Sequence, residues 1–241
     1  MSLEAVTINL SHHFLIAMPG LSDDLFGRSV VYVCEHTPKG ALGLIINKPS
    51  GLTVADLFEK VDLPLRRPEL ASQPVFHGGP LQTERGFVLH EAMGDAETVG
   101  TDVTPPAVAR AIHEALSGLE EEASDDTPAE ASAEAAAEPT LSRPSAYAST
   151  LRMPDGLEMT TSRDVLEALS SGHGPRKVLL TLGYSSWGEG QLESEISENS
   201  WLTVQAQPHV IFDTPVEQRY EKAMGLLGLQ PWMLAPGSGH A

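Results

Sequence analysis

Residues 181–196, "TLGYSSWGEGQLESEI", place two serines between an apolar run and a helix-forming segment. That is where a serine hydrolase holds its nucleophile. A nucleophile elbow is spelled G-x-S-x-G, because small neighbours let the serine take a strained backbone. Here the order is Gly183-Tyr184-Ser185-Ser186-Trp187-Gly188, so neither serine has a glycine two residues away on both sides. "HGGP" at 77–80 resembles a glycine-rich oxyanion strand, but Pro80 removes a backbone donor. Asp213 with His240 is one acid–base pair that can be nominated after Ser185 or Ser186, yet Asp213 precedes a helix signal and His240 is next to last. Serine hydrolysis is therefore the disfavoured alternative.

Other chemistries fare similarly. Nine histidines and one cysteine are present, with His12, His13, Cys34, His36, His77 and His90 near strand ends, but no H-E-x-x-H or paired C-x-x-C spacing occurs. No metal and no cofactor is expected. Glu189 and Glu193 share a helix face, where acids in a first turn answer the helix dipole better than they serve as a glycosidase pair. Free N–H groups at that helix start and in "HGGP" offer a weak anion site, without any phosphate-loop pattern. Arg66-Arg67 and Arg176-Lys177 are isolated basic doublets on loops and read as solvated. The formal net charge of −18 disfavours any grip on nucleic acid or anionic lipid.

What remains is a binding surface. Polar and aromatic residues at strand ends, Asn47, Lys48, His77, Gly78, Gly79, Tyr184, Ser185, Trp187 and Gln191, are the candidate pocket. The expected partner is a protein or a small molecule.

The elements that must position these residues follow from periodicity. "HFLIAMPG", "SVVYVCEHT", "GALGLIINKP", "PVFHGGP" and "GFVLHE" read as strands, and "TPKG" joins the second to the third as an antiparallel hairpin. "TVADLFEKV" reads as a helix capped by Thr53 with Asp56. Thr161 with Asp164 opens a second helix closed by Gly172, and Thr214 with Pro215 and Glu217 opens another closed by Gly228. "KVLLTLGY" is a strand, the serine segment a turn, and about 189–199 a helix, followed by the strand "WLTVQA" and the apolar run "HVIFD". Cys34 lies in an apolar run and reads as a buried, inert thiol.

Residues from about 94 to 149 break the pattern. "PPAVARAIHEALSGL" has helical character, and the stretch after it is Ala, Glu, Ser and Pro with eight acids and no base from Glu120 to Glu138, a low-complexity acidic insertion. No apolar run nears the ~18 residues that cross a bilayer and no signal peptide opens the chain, so a cytoplasmic location is expected. Strands and helices do not alternate strictly. The fold class is therefore α+β, one domain over 1–241 with a mixed sheet, interrupted by the insertion.

Four segments together carry a family resemblance: "FLIAMPGLSDDLFGRSVVYVCEHTPKGALGLIINKPS", "FHGGPLQTERGFVLH", "TTSRDVLEAL" and "LGYSSWGEGQLESEISENSWL". In this order they resemble the bacterial YqgE/AlgH family of small cytoplasmic proteins. The resemblance implies a compact domain whose mixed, strongly bent, barrel-like sheet is flanked by helices. It implies no assigned reaction, and for one branch a transcriptional-regulator role in alginate production that needs no DNA contact; direct DNA binding is the second alternative. It also implies a shorter, ordered connection where this chain has residues 93–148.

Overall fold

The computed structural model describes residues 9–21, 23–93 and 145–234. The alternating apolar runs form strands in the order expected: β1 (His13–Ala17), β2 (Val30–Thr37), β3 (Gly40–Ile45), β5 (Pro74–His77) and β6 (Leu81–Glu91), with β4 (Pro49–Thr53) between the third and fourth. β7 (Thr150–Met153) and β8 (Leu157–Thr160) form a hairpin, and β9 (Val178–Trp187) and β10 (Trp201–Gln205) complete the set. β2 and β3 pair antiparallel through the Pro38-Lys39-Gly40 turn, as the hairpin signal predicts.

Among the described residues, five α-helices flank the strands: α1 (Val54–Lys60), α2 (Arg163–Ser170), α3 (Gln191–Ser197), α4 (Pro208–Phe212) and α5 (Arg219–Leu226). Thr53 and Asp56 close a reciprocal capping box on α1. Gly172 and Gly228, at φ of +86° and +71°, end α2 and α5 as read from sequence. Two caps differ. Ser162, not Thr161, stands before α2, and its hydroxyl bonds Asp164 and the carbonyl of Ala148; Thr161 Oγ1 instead accepts from Arg85. Thr214 does not cap α5 but donates to His209 O at 3.0 Å. The run "HVIFD" is mostly α4, led into its first turn by Pro208.

The sheet runs β10-β1-β2-β3-β9-β6-β8-β7, and curls strongly into a half-barrel. β9 is its hub. Along one edge it pairs antiparallel with β6; along the other it pairs with β3 at its C-terminal end and parallel with β5 at Thr181 and Leu182.

The serine segment is therefore strand, not turn: Ser185 faces Gly43 and Trp187 faces Ala41 in register. Gly183, at φ +75°, explains how both readings meet. Before it, Leu179 enters the core under α4 and α5 while Leu180 packs on the opposite face with α1 and α2. After it, Tyr184 returns to the α4/α5 core and Trp187 joins the other face with Leu192 and Trp201. A left-handed glycine has reset the two-residue alternation, as a bulge does. The main core thus holds Phe14, Tyr32, Leu44, Phe76, Phe87, Leu89, Tyr184, Val210 and Tyr220, and two smaller clusters cover the back of the sheet.

Candidate functional site

The two segments that look catalytic in sequence meet, and what they make is a backbone crossing. A β-carbon on Gly78 would lie 2.1 Å from the carbonyl oxygen of Gly183, and one on Gly79 would lie 2.2 Å from the carbonyl of Tyr184. Only glycine lets these chains approach. The Gly78 N–H, which an oxyanion hole would need free, donates to Leu182 O at 2.8 Å, while Gly78 O accepts from Ile45 N at 2.9 Å.

The serines sit on opposite faces of β9, as neighbours in a strand must. Ser185 is 1% exposed and its Oγ reaches only Gly78 O, at 3.3 Å. Ser186 Oγ is buried with no partner among the described residues. Neither hydroxyl bonds a histidine. Asp213 is held by Lys177 at 2.8 Å, and His240 lies outside the described residues.

Trp187 and Trp201 both donate their indole N–H to Glu195 Oε2, at 2.9 and 2.8 Å, with their rings edge-on at 6.2 Å. Gln191 accepts from Gly188 N and donates to Glu195 Oε1, so it ties the end of β9 to α3. Asn47 accepts from Val30 N and donates to Arg28 O, and Lys48 Nζ donates to Gly27 O at 2.7 Å; both staple the loop before β2. His77 is exposed on β5, with its N–H donated to Lys48 O. Tyr184 is buried in the main core against Phe87.

His36 and His12 carry structural contacts. His36 Nδ1 accepts the Leu10 N–H, so its proton is on Nε2 and is donated to Glu193 Oε1 at 2.9 Å. His12 Nδ1 shares a bond of 2.9 Å with Tyr32 Oη, while its Nε2 lies 2.8 Å from Asp155 Oδ2. This carboxylate–imidazole–phenol line is inert as a nucleophile: Tyr32 is fully buried and burial pushes its phenol far up. Cys34 is also buried, and desolvation holds its thiol well above the ordinary range.

A cavity of about 390 Å³ opens elsewhere, where the start of β9 and the segment before β5 face α4 and the N-terminus of α5. None of the nine residues proposed from sequence lines it. Its walls are Phe76, Leu179, Ile211, Phe212 and Val216, and its polar groups are Gln73, Arg176, Lys177, Asp213, Thr214 and Arg219. Neither basic doublet is simply solvated. Arg67 donates to the carbonyls of Pro175 and Arg176 and pairs with Glu69, and Lys177 pairs with Asp213 and, at 3.6 Å, Glu91.

Nothing in the sequence marks Arg219, which lies in an ordinary amphipathic stretch. In the fold it is 6% exposed, with its guanidinium 4.9 Å above the Phe76 ring. Nε donates to Thr214 O at 3.1 Å and Nη1 donates to Ile46 O. Burial lowers its pKa to about 10, which leaves it charged at neutral pH.

Comparisons with known proteins agree with this architecture. A family model described as AlgH-like matches residues 14–232. A UPF0301 protein of Paracidovorax citrulli is 60% identical over 241 residues, and one of Polaromonas sp. is 56% identical over 241 residues, each match covering 100% of both chains. At those identities the match runs through residues 94–149, so such a segment is not peculiar to this chain. The solution structure of the AlgH protein from Pseudomonas aeruginosa is similar with a TM-score of 0.61 and 35% identity, covering 100% of each chain. A crystal structure of a protein from Corynebacterium diphtheriae shares the fold at a TM-score of 0.54 and 17% identity, over 89% of this chain and 85% of that one. No helix among the described residues is long and apolar enough to cross a membrane.

Proposed function

The chain belongs to the AlgH-like family, and from that premise we propose that it is a binding protein with a regulatory output, not a catalyst, and that its ligand is a small molecule held in the cavity between β9 and α4–α5. One observation carries this reading. The side chains that make the serine segment look reactive are committed to holding the sheet together or sealed within it, while the cavity stands open with polar and apolar groups side by side. Pockets of 300–1,000 Å³ with apolar walls and a few fixed polar groups suit metabolite-sized ligands. The cavity also touches both C-terminal helices, so a ligand there bears directly on the surface they present.

The test is a thermal-shift screen against nucleotides, sugars and organic acids, run on the wild type, on Val216→Trp, which fills the cavity, and on Gln191→Ala, at the start of α3 beside the serine segment. A ligand present at about a hundred times its Kd adds about 2.7 kcal/mol of stability. A hit lost in Val216→Trp and kept in Gln191→Ala supports the cavity. The opposite pattern moves the site to the serine segment, and turnover of any hit sinks the non-catalytic reading.

A further inference from the structure

A buried guanidinium ordinarily has a carboxylate beside it, because an uncompensated charge in low dielectric costs several kcal/mol. Arg219 has none in contact: no carboxylate among the described residues lies within ion-pair distance, the exposed Glu217 acts on it only from farther off, and its protein acceptors are the carbonyls of Thr214 and Ile46. Carbonyls orient a guanidinium without neutralising it. Two of its five N–H donors are thereby used, and Nη2 has no partner among the described residues although it is not sealed from solvent. Arg219 is among the residues that line the cavity.

The lining itself carries more cations than carboxylates: in a chain of formal net charge −18 it holds Arg176, Lys177 and Arg219 against Asp213, with Lys177 paired to Asp213 at 2.8 Å and to Glu91 at 3.6 Å, and with the exposed Glu217 acting on Arg219 from outside the lining. Around these cations stand Phe76, Leu179, Ile211, Phe212 and Val216. We propose that the cavity binds a small organic anion, its oxyanion head on Arg219 Nη2 with Arg176 at the mouth, and its apolar body against Phe76, Leu179 and Ile211.

This inference deepens the binding reading above and rests on it. A carboxylate and a phosphate share the required chemistry, a pair of anionic oxygens on one centre that a guanidinium meets with charge-assisted hydrogen bonds. The first carries one charge and the second nearly two, so the second should gain more from Arg176 and lose more in salt.

The experiment titrates the full-length protein with sodium hexanoate, phenyl phosphate and, as the neutral control, hexanol, following the Arg219 Nε–Hε resonance by NMR. The expected result is saturable binding of at least one anion with that resonance shifting, and at least about tenfold weaker binding of hexanol. Arg219→Met should lose at least about tenfold for the anion and leave hexanol unchanged. Should Arg219→Met fail to fold, the wild-type resonance and Arg176→Gln, at the mouth, carry the test, the latter weakening phenyl phosphate more than hexanoate. Hexanol binding as tightly as both anions, with the Arg219 resonance unmoved, overturns the anion assignment while leaving a ligand cavity. Silence from all three probes overturns the anion assignment, and the wider screen then decides the cavity.

Discussion

Glu195 does more for the serine segment than either serine does. One carboxylate oxygen accepts both indole N–H groups, of Trp187 and Trp201, and the other accepts from Gln191. Glu195→Ala leaves two large aromatic donors without their acceptor and should cost about 2–3 kcal/mol in urea unfolding, with a changed tryptophan emission from the folded state. Ser185→Ala should cost no more than about 1 kcal/mol, the net worth of its single bond to Gly78 O. Ser186→Ala should be neutral or slightly stabilising, because its Oγ is buried without a partner. A fluorophosphonate probe should label neither serine in the folded protein, as read by intact-mass spectrometry; a Ser185 or Ser186 adduct would revive hydrolysis. His90 titrates in the opposite sense to an ion pair. It is fully buried, donates from Nδ1 to Glu91 O and meets Thr160 Oγ1 through Nε2, and burial lowers its pKa below the ordinary 6.5. The folded state then binds fewer protons than the unfolded chain just below pH 6.5. Stability is therefore full above pH 6.5 and falls as the pH drops toward the folded pKa. Urea midpoints between pH 7.5 and 5 should decline in the wild type and decline less in His90→Gln.

At the scale of elements, local rules were legible and crossings were not. The capping box of Thr53 with Asp56 and the "TPKG" hairpin depend on residues a few positions apart, and both stand as read. The serine segment reads as a turn because glycine and serine signal one, yet three strands claim its backbone and hold it extended. Gly183 keeps the turn-like φ inside that strand. Thr161 and Thr214 fail as caps because more distant groups, Arg85 and His209 O, engage their hydroxyls. The cavity was illegible for the same reason: its wall draws on residues 73–76, 176–179 and 211–219, each unremarkable alone. The crossing of β5 with β9 yields a sharp expectation. Gly79→Ala must push a β-carbon into the Tyr184 carbonyl, and Gly78→Ala into that of Gly183, so each should cost about 3 kcal/mol or more in equilibrium unfolding. Gly86→Ala, where a β-carbon meets open space, is the matched control and should change little.

Over the whole molecule, stability is organised outward from β9. β3 and β6 flank it on opposite edges, while β10 and β7 are the ends of the sheet order. Amide exchange should be slowest in β3, β6 and β9 and fastest in β7 and β10, with Cys34 unreactive to thiol reagents until global unfolding. That centrality also sets a schedule. Every strand that β9 joins, β3, β5 and β6, is complete by Glu91, but β9 itself begins at Val178. That separation in sequence matters to a chain leaving a ribosome. At about 5–20 residues per second, translating positions 92–177 takes about 4–17 s, during which the edges of β3, β5 and β6 have no cover from β9. A nascent chain arrested before Val178 should therefore be a substrate for holdase chaperones or a seed for aggregation, and one released after β9 should be neither.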